Sequence, residues 1–247
     1  MSDRPLIIAH RGASGEAPEN TLAAFQLAWK QGADGIECDV HLTSDCQVVC
    51  MHDHDTKRVA KQKLRIAGHS YQELSQLDIG SWKGKDFAGE RLPLLCDVLG
   101  TVPPRKQIYI EVKCGKEIVK PLLEQLDGTW LKPEQITIIC FNGEVIEALN
   151  AARPGLQIIW LIDVKSNWLG RSKLKLPEVL AQAAYLKVKG LGLRCHSGIR
   201  REMVEQIREA GLLLNVWTVN DTTDARRYAS FGVDSLTTNW PKKLLEL

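Results

Sequence analysis

No CxxC pair occurs in the chain, which argues against a structural zinc ribbon. No GxGxxG follows the first strand-like run, and neither GxxxxGKS nor GxxxxGKT occurs. Dinucleotide-binding and P-loop readings lose their support with them. Long apolar runs are missing too. The best are strand-sized, so no membrane span is expected. The run from Leu6 to Ala9 is far shorter than a signal-peptide core. Charge of one sign never accumulates in runs, and the net charge of +2 with a pI near 8.1 does not by itself suggest nucleic acid. The cysteines number seven, an odd count, and sit in apolar runs such as ITIIC and QVVC. That pattern predicts reduced, mostly buried thiols and a cytoplasmic location rather than a disulfide framework.

What is present is a rhythm. Apolar runs of strand length (LIIAHR, GIECDVHLT, KQIYIEVK, QITIICF, LQIIWLID, Gly190 to Arg194, LLLNVWTVN, VDSLTTN) alternate with helical patterns such as TLAAFQLAWKQG and SGIRREMVEQIREAG. QVVCMHD reads as a further strand beside GIECDVHLT, joined by a turn at Ser44 and Asp45. Ser70 with Glu73 has the spacing of a capping box. In EIVKPLLEQL, Pro121 marks either the true helix start or a kink. Roughly eight strand-helix steps in 247 residues predict a parallel (β/α)8 TIM barrel, one domain spanning 1–247. The Lys-, Gly- and Ser-rich stretch 54–92 reads as an insertion within it.

Active sites of such barrels lie at the C-terminal strand ends, so polar residues there carry the functional reading. The first strand ends in His10 and Arg11. On the second, Glu37 and Asp39 share one face, because side chains alternate along a strand. Two inward carboxylates repel unless a cation lies between them, and their hard oxygens favour Mg2+, Ca2+ or Mn2+ over zinc. His52 ends the run QVVCMHD, and Glu111 with Lys113 repeats the two-residue spacing on KQIYIEVK. Taken alone, His52 could pair with a backbone carbonyl, and Glu111 with Lys113 could be a rim ion pair of little consequence. Inward Glu37 and Asp39 have no such inexpensive explanation, since buried charges need partners. His41 is expected to be solvated or to support a neighbour. Cys38, Cys46, Cys50, Cys114 and Cys140 are expected to pack as small hydrophobes. A hard cation, two basic side chains and two histidines suit phosphoryl-ester cleavage better than acyl or hydride chemistry.

With these residues in view, the sequence resembles the glycerophosphodiester phosphodiesterase family. The resemblance rests on AHRGASGEAPENT (9–21), GADGIECDVHLTSD (32–45), VCMHD (49–53) with Arg58 beyond it, IEVK (110–113), NVWTVN (215–220) and GVDSLTTNWP (232–241). It covers nearly the whole chain and looks like the cytosolic bacterial type. It implies a TIM barrel with a small insertion. It further implies His10 and His52 as an acid-base pair, with His10 taken as the base. Glu37, Asp39 and Glu111 would bind one divalent cation, Mg2+ favoured over Ca2+ or Mn2+. Arg11 and Lys113 would hold the phosphate. Glu19 and Asn20 would brace the first loop, and Trp217 and Phe141 would line the glycerol or head-group side. The implied reaction has the substrate's own hydroxyl attack phosphorus, giving a cyclic phosphate and then glycerol 3-phosphate and an alcohol. Its partner is a small glycerophosphodiester, with neither nucleic acid nor membrane insertion. Two positions depart from the family pattern. Cys46 stands where the family has Gly in a turn. Asn239 replaces the Asp of the family's T-D-x-P, which suggests a capping role rather than an ionic one. The rival readings are a zinc amidohydrolase-type barrel using His52 and His54 as a metal pair, and a barrel that binds a phosphodiester without cleaving it.

Overall fold

A computed structural model describes residues 4–164 and 174–246. In chain order its elements are β1 (Leu6–His10), α1 (Leu22–Lys30), β2 (Gly35–Leu42), β3 (Val48–Cys50), α2 (Lys57–Ala60), α3 (Tyr71–Leu74), α4 (Leu95–Thr101) and β4 (Gln107–Val112). Then follow α5 (Val119–Asp127), β5 (Ile136–Cys140), α6 (Gly143–Ala152), β6 (Ile158–Ile162), α7 (Leu176–Tyr185) and β7 (Gly190–Arg194). The last are α8 (Arg201–Glu209), β8 (Leu213–Trp217), α9 (Thr222–Phe231), β9 (Ser235–Thr238) and α10 (Pro241–Leu245). Strands run in the order β1-β9-β8-β7-β6-β5-β4-β2, all parallel, and the β1–β2 pairing closes them into an eight-stranded barrel. This is the TIM barrel that the strand-helix rhythm predicts. Among the described residues no helix is long and apolar enough to cross a membrane.

Alternation along each strand divides the core in two. Outward residues such as Ile36, Cys38 and Val40 of β2 pack under the helices. Inward residues Ile8, Tyr109, Ile139, Ile159 and Leu161 fill the barrel, with Trp217 packed against them. Close approach across the interior needs small residues. A Cβ at Gly192 would lie 2.5 Å from Leu161 Cδ2 and 3.4 Å from the Trp217 indole nitrogen.

Several sequence expectations are refined. QVVCMHD supplies a strand of only three residues, and it runs antiparallel to β2 outside the barrel. His52 therefore lies beyond the strand end. Pro121 falls in the first turn of α5, where its missing N–H leaves no helical bond unmade. Ser70 and Glu73 do form a capping box, at the start of α3. The segment between β3 and α4 joins Val49 of β3 in a small apolar cluster of its own, with Met51, Val59, Ile66, Leu74, Ile79 and Leu92. The cysteines are less buried than expected. Cys38, Cys50 and Cys140 are buried, but Cys46 and Cys96 are exposed and Cys114 and Cys195 lie between. Cys46 is exposed because it forms the tip of the β2–β3 hairpin, so it does not pack as a hydrophobe.

Candidate active site

The inward carboxylates meet at the C-terminal mouth of the barrel. Register places Asp39 of β2 directly beside Glu111 of β4, and Glu37 beside His10 of β1. Carboxylate oxygens of Glu37, Asp39 and Glu111 all lie within 4.8 Å of one another. All three side chains are buried. Glu37 Oε1 and Asp39 Oδ1 are buried with no hydrogen-bond partner. Burial, then the charges of Asp39 and Glu111, push Glu37 far above the ordinary carboxylic range. Burial and then Asp39 raise Glu111 to about 7, against the pull of Lys113. At Asp39 burial is outweighed by Arg11 and Lys113, and its carboxyl is held low. Three crowded carboxylates, two with unpartnered buried oxygens, fit a hard divalent cation. Among the described residues they form the one such cluster of three or more Asp, Glu, His or Cys side chains.

The loop after β1 folds back over this trio. Gly12, at φ 79°, turns the chain so closely onto α1 that a Cβ there would lie 2.5 Å from the Ala24 carbonyl carbon. Arg11 and Asn20 hold left-handed backbone at φ 57° and 55°, a strained choice for residues other than glycine. Both are pinned by the acids below. The Arg11 amide donates to Glu37 Oε2 at 2.8 Å. Its Nε lies 3.1 Å from Asp39 Oδ2, and its Nη1 donates to Glu19 Oε1 at 2.9 Å. Asn20 grips Asp39 twice, donating from Nδ2 to Oδ2 at 2.8 Å and accepting from the Asp39 amide at 3.1 Å. Lys113 sits 2.7 Å from Glu111 Oε1 and 3.6 Å from Asp39 Oδ1.

The histidines face the trio with different supports. His10 Nδ1 is 2.7 Å from Asn239 Oδ1. Loss of solvation and then the Arg11 charge draw its imidazole down to about 4. His52 Nδ1 is 2.7 Å from Asp53 Oδ1, whose carboxyl lies low at about 2 because Arg58 and His52 outweigh its partial burial. The His52 backbone carbonyl lies 3.2 Å from His41 Nε2, and His41 is buried. His41 thus supports a neighbour and is not solvated. Phe141 and Trp217 meet edge to face at 5.6 Å on the far side of the mouth. Phe141 is exposed, while the Trp217 indole N–H is buried without a partner.

Every sequence-derived site residue therefore reaches one mouth. Three further residues escaped the sequence reading. Asp53 follows His52 directly, and a His-Asp pair is a visible cue. Arg58 stood in a matching motif without a role. Asn239 was expected to cap a helix, but its side chain turns to His10 instead, and α10 begins from Trp240 with no side-chain cap. The zinc alternative finds no geometry here. His54 points outward with its side chain 74% exposed, and His52 is turned to Asp53.

Known proteins resemble this chain in sequence and in fold. The family model for the glycerophosphoryl diester phosphodiesterase family matches residues 10–243. The chain is 34% identical to YhdW of Bacillus subtilis (strain 168), over 97% of this chain and 96% of that protein. It is 32% identical to a glycerophosphodiester phosphodiesterase of Caldanaerobacter subterraneus subsp. tengcongensis, over 99% of this chain and 98% of the relative. An Oleispira antarctica phosphodiesterase, solved in complex with the product sn-glycerol 3-phosphate, superposes with a TM-score of 0.87 at 28% identity, covering 98% of this chain and 96% of that one. With a match of that extent on a closed barrel of this kind, the chain belongs to the glycerophosphoryl diester phosphodiesterase family.

Proposed function

We propose that the chain hydrolyses glycerophosphodiesters to sn-glycerol 3-phosphate and an alcohol through two histidines at the barrel mouth. Family membership makes it an enzyme of the glycerophosphodiester phosphodiesterase class. One observation carries the finer reading: each histidine has its Nδ1 engaged by a fixed oxygen, which leaves each Nε2 for the substrate. The product seen with the Oleispira antarctica enzyme supports the same product here.

His10 donates from Nδ1 to the neutral Asn239 oxygen, and its low pKa keeps Nε2 free of a proton. It serves as the base that takes the proton from the glycerol 2-hydroxyl as that oxygen attacks phosphorus. His52 gives a proton from Nε2 to the departing alcohol, while Asp53 holds its ring from the other side. The phosphorus-to-alcohol bond breaks and a cyclic phosphate forms. In the second half the roles reverse. His52 takes a proton from water, and His10 returns one to the 2-oxygen as the ring opens. Glu37, Asp39 and Glu111 would hold one divalent cation, Mg2+ favoured. The bound cation would supply charge stabilisation at the phosphoryl oxygens. Arg11 and Lys113 bring positive charge to the same place and hold the phosphate. Glu19 and Asn20 keep the first loop in position, and Trp217 with Phe141 line the head-group side. The free cysteines support a cytoplasmic location.

The test is turnover of glycerophosphocholine, -ethanolamine, -glycerol and -inositol with Mg2+, Mn2+ or Ca2+, followed by phosphorus NMR. Glycerol 3-phosphate is expected, and chelator should abolish its formation. Persistent cyclic phosphate would make the enzyme a lyase, and no turnover of any substrate would leave a binding barrel. His10→Ala and His52→Ala should each lower kcat by about 10^2 or more with the fold intact. Near-normal turnover in either would remove that residue from acid-base work.

A further inference from the structure

His10 ends β1 and His52 lies in the loop beyond β3, and one side chain ties the support of His52 to the loop that follows His10. Arg58 lies on α2, inside the 54–92 stretch that sequence alone leaves without a role. Its Nε donates to Asp53 Oδ2 at 2.7 Å. Its Nη1 and Nη2 donate to Glu19 Oε2 and Oε1, each at 2.8 Å. Asp53 spends its other oxygen on His52 Nδ1, and Glu19 Oε1 also accepts from Arg11 Nη1. An unbroken line of charged contacts thus runs from His52 through Asp53, Arg58, Glu19 and Arg11 to Asp39.

From this geometry we infer that Arg58 is a positioning residue for the proposed reaction, aiming His52 through Asp53 while Glu19 anchors its guanidinium. The inference rests on the reaction read above.

Three features carry it. First, a guanidinium is a rigid planar fork, and here each of two edges meets a different carboxylate. An ammonium could meet one or the other but could not fix the angle between them. Second, His52 needs such support. It lies beyond the end of β3, where His41 of β2 reaches only its backbone carbonyl, and among the described residues its ring nitrogen is oriented by Asp53. Asp53 is in turn steadied by Arg58. Third, the Arg58 side chain is 42% exposed. Exposed ion pairs contribute little to stability. A residue so placed, with every donor group named above turned toward the site, affects alignment more than folding. The segment between β3 and α4 then completes the catalytic apparatus, beyond covering the barrel rim.

The test is a kinetic double-mutant cycle on the best substrate of the wild type, using Arg58→Ala, Asp53→Asn and the double variant. Arg58→Ala should lower kcat by about 10- to 100-fold, as small misplacements of reacting groups do. KM should move by less than about threefold, because substrate binding in the ground state is spared. In the double variant the losses should not multiply, and kcat should fall no further than about twofold below Asp53→Asn alone. Arg58→Lys retains the charge and guards against a folding defect. Its urea midpoint should match the wild type while most of the loss in kcat remains. Multiplicative losses, or full activity in Arg58→Lys, would overturn the inference while the hydrolase reading stands. A wild type that cleaves no glycerophosphodiester would instead overturn the hydrolase reading and this role with it.

Discussion

An amide oxygen of Asn239 holds His10, while a carboxylate of Asp53 holds His52. The difference separates the two ring environments. The Asn239 oxygen carries no net charge, and its modest pull toward the imidazolium is outweighed by burial and then by the adjacent Arg11, which keep His10 low, at about 4. As the proposed base, His10 must be unprotonated in the free enzyme, and kcat/KM should then fall as pH drops through its pKa. Asn239→Asp puts a negative charge 2.7 Å from Nδ1. That charge favours the protonated ring, so the acid limb of the kcat/KM profile should move upward by about one unit or more. A limb that stays in place would take the base role from His10. Nothing local in the sequence announces this contact. Asn239 stands two residues before Pro241, where a helix cap is the natural reading, and its actual partner is 229 residues away along the chain. Glu37 and Asp39 were legible for the opposite reason. Their two-residue spacing on an apolar strand already requires a shared inward face.

Elements differ in the same way. The barrel strands were readable because each is a short apolar run followed by a helical period. The β2–β3 hairpin was readable in place but not in extent. Its pairing ends at Val40 opposite Cys50, and the cluster of Val49, Met51 and the following segment takes over. That segment is built from turns and four-residue helices, too short to show any period. The hairpin tip offers a direct check. Cys46 sits at φ 59°, the left-handed region that a glycine adopts without strain. Its amide still bonds to Thr43, so the turn is the one glycine would make. Cys46→Gly relieves a side-chain clash of about 1–2 kcal/mol and gives back part of it through a freer unfolded chain. A net gain of about 0.5–1 kcal/mol in urea unfolding is expected, with turnover unchanged. Destabilisation would mean that the Cys46 side chain makes a contact outweighing its backbone strain.

At the scale of the whole molecule, the barrel buries three acids in one place, and a cation held between them would decide their charge. Without the cation the folded state retains protons that the unfolded chain releases. Glu111 rises from an ordinary 4.5 to about 7, and Glu37 rises as well. For a group raised in the folded state, the stability it contributes is full below the unfolded value and is lost as pH climbs through the folded one. The trio alone should therefore weaken the cation-free protein between about pH 4.5 and 7. His10 and His41 are lowered and run the other way through part of that window. The useful quantity is thus the difference between midpoints with and without the cation, in which the histidine contributions largely cancel. A cation that binds only the folded state stabilises it by mass action, and it must displace protons to do so. Thermal midpoints with millimolar Mg2+ and with chelator should differ little near pH 5 and increasingly toward pH 7.5. Glu37→Gln, which removes one acid and one ligand, should flatten that divergence. A gap independent of pH, or one that Glu37→Gln leaves intact, would mean that the cation binds somewhere other than between Glu37, Asp39 and Glu111.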